Sequence, residues 1–364
     1  MLAEKSPQGR PVVAAPASTS GGGLAAAGAA GAATGGANRG GDGLGLRRQR
    51  AAPAAGIMMR FALALAAAFF SWAAIARAAA PLAVIPYELT REGAIAIGVA
   101  VDGDGPHRFI VDTGATLSLV FQNFVQGRPL PPAGRPSVRI LSISGTENFT
   151  PVIIGDLFAG APLAEDHVGV VLPDWESPRQ TPAGIIGLDI LEKFAIAFDV
   201  DARTIALYEP GGLPQEATKG RRKATLRKTR FDLSGAELYT LRGKVNGQAL
   251  DFILDLGIAT TLINFAAGEA MFANRVTVSA GRTETTGTRI EDVFDDRSRA
   301  NFAVMDSISA GRRRWSRKLV WIYDAPLFDE LGVQGRPYGL LGADLLTAQD
   351  FAVDFKAGEI FFAR

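Results

Sequence analysis

Two short words hold most of the chemistry open to this sequence. They are Asp112-Thr113-Gly114 and Asp255-Leu256-Gly257, 143 positions apart, each directly behind an apolar run, Phe109-Ile110-Val111 and Phe252-Ile253-Leu254. A carboxylate presented at the end of a buried strand can accept or deliver a proton. Competing chemistries have few residues to work with. The 364 residues include no cysteine, which removes thiolate nucleophiles, disulfides, Cys-ligated zinc and a lipid anchor on cysteine. Only His107 and His167 are histidines, so a multi-His metal centre is excluded and a Ser-His-Asp triad would have to use one of these two. Carboxylates remain as the natural acid–base groups, with no metal and no other cofactor expected.

The elements that must position these words also occur twice. Gly187-Leu188-Asp189-Ile190-Leu191 matches Gly342-Ala343-Asp344-Leu345-Leu346 at an offset of 155, and Ala197, Asp199, Ala202 and Ile205 match Ala352, Asp354, Ala357 and Ile360 at the same offset. A long repeat in two copies implies a doubled lobe rather than a solenoid. Each copy reads as β structure. Ile95 to Val101 runs into Asp102-Gly103, and Val245 runs into Asn246-Gly247, pairs that tolerate the positive φ of tight hairpins. Residues 138–143 and 149–154, around Ser144-Gly145-Thr146, predict a further hairpin. Helix is expected only as a turn or two at 189–194 and 344–348, and over 265–272.

The front of the chain differs in composition. Residues 1–57 are dominated by Ala, Gly, Pro, Ser and Arg, too little apolar surface to offset ordering entropy, and are read as disordered. Residues 58–78 read as a signal peptide: Met59-Arg60, an apolar run of 16 residues over 61–76, then Ala76-Arg77-Ala78. The run is shorter than the ~20 residues of a membrane-spanning helix, so no stable membrane anchor is expected after cleavage. Export to the periplasm or beyond the cell follows. The whole chain has 38 basic and 37 acidic residues; without positions 1–78 there remain 30 and 35, which gives no electrostatic case for a nucleic-acid partner. The expected organisation is an N-terminal lobe over 79–210, a solvated basic linker over 211–230 and a C-terminal lobe over 231–364, an internal pseudo-dimer working as a monomer.

An apolar strand ending in Asp-Thr-Gly-Ala, repeated once, with Ile185-Ile186-Gly187 and Leu340-Leu341-Gly342 downstream in the two copies, resembles the aspartic protease family. The nearest likeness is to bacterial retropepsin-like and pepsin-like proteases with two lobes on one chain, and it covers roughly residues 84–364. The resemblance implies an all-β fold of two retropepsin-like barrel lobes, related by a pseudo-two-fold axis around a cleft. It also implies that Asp112 and Asp255 meet at that axis as the catalytic pair, because like charges so close share one proton. One aspartate would act as general base on water and the other would polarise the peptide carbonyl. Thr113, Gly114 and Ala115, with Leu256 and Gly257, would support the loops, and Ser144, Gly145 and Thr146 would tip a flap closing over a peptide or protein substrate. The second copy's counterpart of the flap would be 283–289, followed by a charged insertion at 291–299.

The second copy departs from the family pattern. The family's Thr braces both loops with its hydroxyl; Thr113 can do this and Leu256 cannot. Ile258 stands where the first copy has Ala115, which should crowd the loop. These departures set two readings side by side: an exported aspartic endopeptidase, and a catalytically impaired peptide-binding module of the cell envelope. A dimer pairing Asp112 from two chains is a third. Ala115 offers no hydroxyl beside Asp112 of the kind pepsins use, so an optimum less acidic than theirs is expected. Asp189 and Asp344 are expected as helix N-caps, Asp199 and Asp354 as structural residues, and His107 as an exposed loop residue.

Overall fold

A computed structural model describes residues 80–143, 145–174, 181–272, 288–290 and 298–364. The expected disordered extension, the signal peptide, Ser144, the second flap at 283–287 and the core of the charged insertion at 291–297 lie outside the described residues. Among those described, no helix is long and apolar enough to cross a membrane.

The chain is mostly β. Strands β1 (Ala83–Leu89), β2 (Ile95–Val101) and β3 (Asp104–Val111) come first. β2 and β3 are joined through Asp102 and Gly103, both at positive φ (51° and 80°), as the two-residue hairpin requires. His107 lies on β3 itself, half-buried, with Nε2 3.1 Å from Asp104 Oδ2, rather than in a loop. β4 (Leu119–Phe121), β5 (Val138–Leu141), β6 (Thr146–Phe149), β7 (Val152–Phe158), β8 (Pro162–Gly169), β9 (Val171–Leu172) and β10 (Gly184–Ile186) follow. The hairpin expected to run through 149–154 stops at Phe149, and β7 pairs instead with β2 and β8. Pro151 between them has no N–H to continue the ladder.

β11 (Ala195–Asp199), β12 (Thr204–Tyr208), β13 (Arg222–Thr225) and β14 (Arg227–Arg230) follow. The segment expected as a solvated linker is therefore woven into the fold. β13 pairs with β23 (Glu359–Phe362), and β14 with β15 (Glu237–Val245). Its charges alternate with residues that face inward: Ala224 and Leu226 are buried. A count of charges does not register that alternation.

β15 and β16 (Gln248–Leu254) repeat the two-residue hairpin through Asn246 and Gly247, at φ of 48° and 87°. β17 (Leu262–Ile263), β18 (Thr288–Ile290), β19 (Ser298–Ala310), β20 (Arg313–Ile322), β21 (Tyr338–Leu341) and β22 (Phe351–Asp354) complete the order. Short helices occur where the sequence placed them, at Leu188–Leu191, Phe265–Phe272 and Ala343–Leu346.

Two relationships position the site. Twice a hairpin strand ends beside a parallel partner: β3 with β10, Val111 opposite Ile186, and β16 with β21, Leu254 opposite Leu341. In addition, β1-β12-β11 and β22-β23-β13 join through β11 and β22 into one continuous sheet. The pairings are symmetric about Ala197 opposite Ala352, the same two residues matched in sequence at offset 155. Phe198 and Phe351 stack across this seam, centroids 4.1 Å apart and planes 8° from parallel. Asp199 and Asp354 close equivalent turns, accepting from Ala202 N at 2.8 Å and Ala357 N at 3.0 Å.

Candidate active site

The residue after β3 and the residue after β16 are both aspartates, held by the neighbouring parallel strand. Asp112 N donates to the Ile186 carbonyl at 3.0 Å and Asp255 N to the Leu341 carbonyl at 3.1 Å. Each loop then folds back over its own carboxylate. Asp112 Oδ1 accepts from Gly114 N at 2.7 Å and Ala115 N at 3.1 Å; Asp255 Oδ1 accepts from Gly257 N at 2.9 Å and Ile258 N at 3.1 Å. The expected crowding by Ile258 is absent, because its side chain turns away into the core, where it is buried. The loop's own bonds are backbone to carboxylate and do not depend on that side chain.

The two loops face each other so that each carboxylate lies against the other loop's glycine. A Cβ on Gly114 would stand 2.6 Å from Asp255 Cγ, and a Cβ on Gly257 would overlap the Asp112 carboxylate. Only glycine permits that approach. The carboxyl groups hydrogen-bond to one another. Burial raises the pKa of Asp112, opposed by the N–H groups of Gly114 and Ala115, the bond from Asp255 and the Gly257 N–H. Burial raises Asp255 well above the ordinary carboxylate value, and the negative charge of Asp112 adds to this. The pair therefore favours one proton held between the two groups.

Thr113 is the brace between the loops. Its hydroxyl donates to the Leu254 carbonyl at 2.9 Å and accepts from Leu256 N at 3.0 Å. Leu256 packs instead into the core, 1% exposed, and returns no such bond. The threonine brace therefore comes from one loop only.

Behind each loop lies a second network, which the sequence reading missed. Ser118 and Thr261, each six residues after its aspartate, donate their hydroxyls to Asp189 Oδ1 and Asp344 Oδ1, both at 2.7 Å. The same hydroxyls accept from Gly187 N at 2.8 Å and Gly342 N at 3.1 Å. Asp189 and Asp344 are therefore not N-caps. Gly187 and Gly342 occupy the cap positions without side-chain bonds, and the carboxylates reach across to the loop instead. The matched hydroxyls at offset 143 were the available signal.

The flap candidates lie on the hairpin of β5 and β6, with Gly145 in its turn and Thr146 starting β6. Val138, Ile140 and Phe149 pack in one apolar cluster with Ala115 and Leu117 of the Asp112 loop. On the same hairpin, Arg139 Nη2 is 3.2 Å from Thr146 Oγ1 and 2.7 Å from Glu330 Oε1, on the C-terminal lobe's helix Pro326–Glu330. Neither Arg139 nor Glu330 carried any sequence signal. Among the described residues no cluster of three His, Asp or Glu side chains is placed to hold a metal ion.

Residues 97–190 match the model of a family described as aspartyl protease, a stretch that runs from β2 through Asp112 and the flap to the helix carrying Asp189. No curated protein matches the chain. The second aspartate loop lies outside the matched stretch and stands on its geometry. Over that stretch the chain is similar to the aspartyl protease family.

Proposed function

We propose that this protein is an aspartic endopeptidase in which Asp112 and Asp255 activate a water for attack on a peptide carbonyl. The observation that supports this most directly is the reciprocal seating of the two carboxylates, each against the opposite glycine. In this reading ionised Asp112 takes a proton from the water while protonated Asp255 gives its proton to the carbonyl oxygen. The resulting tetrahedral diol collapses as the proton on Asp112 passes to the amide nitrogen. The C–N bond breaks, and the diol returns a proton to Asp255, leaving an acid and an amine. An extended substrate would lie under the β5–β6 hairpin, which shields the reacting centre from bulk water. Export to the periplasm or medium belongs to this reading and rests on the sequence pattern of 58–78.

Leu256 favours a second reading, a peptide-binding module with the same cleft, because the brace is one-sided. Cleavage of an unstructured peptide mixture by wild type, Asp112→Asn and Asp255→Asn separates the two. The endopeptidase requires turnover in the wild type and a loss of about 10²–10⁴-fold in both variants. Peptide binding without turnover in the wild type supports the module. Activity that survives Asp255→Asn but disappears on dilution supports pairing of Asp112 between two chains.

A further inference from the structure

The Asp189 network has one more member. His167 lies on β8, buried, with Nε2 3.4 Å from Asp189 Oδ2 but not aligned for a hydrogen bond. The imidazole also bonds the backbone of Ser118; since Nε2 has no partner, Nδ1–H is the donor and the Ser118 carbonyl the acceptor. Ser118 is thus held at its N–H and hydroxyl by Asp189 and at its carbonyl by His167. It is the residue through which the Asp112 loop enters β4.

The Asp255 loop has Lys318 at the matching register. His167 precedes by four residues Val171, which pairs with Val120, eight residues after Asp112. Lys318 precedes by four residues Ile322, which pairs with Ile263, eight residues after Asp255. Burial raises the pKa of Asp344, and the charge of Lys318 works against this. The Asp112 loop thus has an imidazole at the register where the Asp255 loop has a lysine.

We propose that His167 is a positioning residue for the Asp112 loop, and that its protonation slackens the loop and sets the acid limit of activity. The inference rests on the endopeptidase reading. An imidazolium in this site must either draw in water or turn Nε2–H onto Asp189 Oδ2, which already receives the Ser118 N–H; both disturb the hold on Ser118. Burial opposes the charged form and holds the His167 pKa below the ordinary histidine value, Asp189 works against this, and Lys193 reinforces it. The other neighbours are neutral or turned outward: β7 presents Gly155 opposite His167, and Glu165 and Asp166 on β8 are exposed.

The test compares kcat/KM across about pH 3 to 8 for wild type and His167→Gln, whose amide can still donate to the Ser118 carbonyl but cannot become charged. With only two histidines in the chain, proton NMR of the wild type and His107→Gln assigns the His167 titration directly. The expected result is an acid limb that follows the His167 titration in the wild type and moves at least about half a pH unit lower in His167→Gln. An unmoved limb in a folded, active variant overturns the proposal, as does a loss that is equal at every pH. If the wild type cleaves no peptide at any pH, the endopeptidase reading fails separately. The His167 switch is then read from thermal midpoints. Wild type should lose stability relative to His167→Gln as pH falls below the ordinary histidine value, and a pH-independent difference overturns it.

Discussion

Thr113 and Leu256 stand at matched positions on facing loops, and the hydroxyl of the first accepts the N–H of the second at 3.0 Å while nothing returns. The same oxygen donates to the Leu254 carbonyl, so one buried hydroxyl satisfies two backbone groups of the other lobe. Thr113→Val keeps the shape and removes both bonds. Each buried backbone group left unpaired should cost ~1–3 kcal/mol. Urea denaturation should show a lower midpoint for Thr113→Val, with Thr113→Ser close to wild type.

The contact between each carboxylate and the opposing glycine predicts a sharp steric limit. Gly114→Ala would place a methyl 2.6 Å from Asp255 Cγ, and the pair could survive only by moving apart. A displacement of ~1 Å at reacting groups can cost about 10²-fold in rate. Steady-state cleavage by Gly114→Ala and Gly257→Ala should fall by at least that factor. Alanine at Gly145, where no neighbour lies within 4 Å of the added methyl, should be tolerated in the fold.

Asp255→Asn should stabilise the protein at neutral pH while removing its activity. In the folded chain both aspartates titrate above the ordinary carboxylate value, so the folded state holds protons that the unfolded chain has released. The contribution of the pair is therefore favourable below the ordinary value and is lost as pH rises through the raised folded values. The asparagine keeps Oδ1 for the Gly257 and Ile258 N–H groups and offers Asp112 an N–H in place of a second charge. Thermal midpoints should be higher than wild type at pH about 7 and should lose that gain near pH 3. No gain at neutral pH would contradict the pairing.

The Arg139–Glu330 contact ties the β5–β6 hairpin to the helix Pro326–Glu330, with both side chains about a third exposed. Water and salt screen such a pair, so its coupling should be ~0.2–1 kcal/mol. Arg139→Glu should raise KM for long peptides more than it lowers kcat, and the exchange Arg139→Glu with Glu330→Arg should recover most of the loss. The difference from wild type should shrink in about 1 M salt, where charges screen over roughly 3 Å.

Much of this molecule was legible in its residues. Asp102-Gly103 and Asn246-Gly247 can close hairpins of only a few kinds, and short apolar runs ending in aspartate read as buried strands because local sterics and burial act over neighbouring positions. The repeat at two offsets marked both aspartates and both downstream Gly-x-Asp words before any coordinates. What the chain alone left open was everything that depends on partners distant along it. Ser118 with Asp189, His167 with Ser118, and Arg139 with Glu330 lie far apart in sequence, and hydrogen-bond geometry has no linear signature. The basic stretch at 222–230 reads as solvated by composition, yet β23 and β15 recruit it into sheets, because pairing satisfies backbone groups whatever the charge of alternate side chains. Local sequence determined which carboxylates are offered. Tertiary packing decided that each one rests against the other's glycine and that one proton suits the pair, since desolvation and like-charge repulsion exist only once the loops have met.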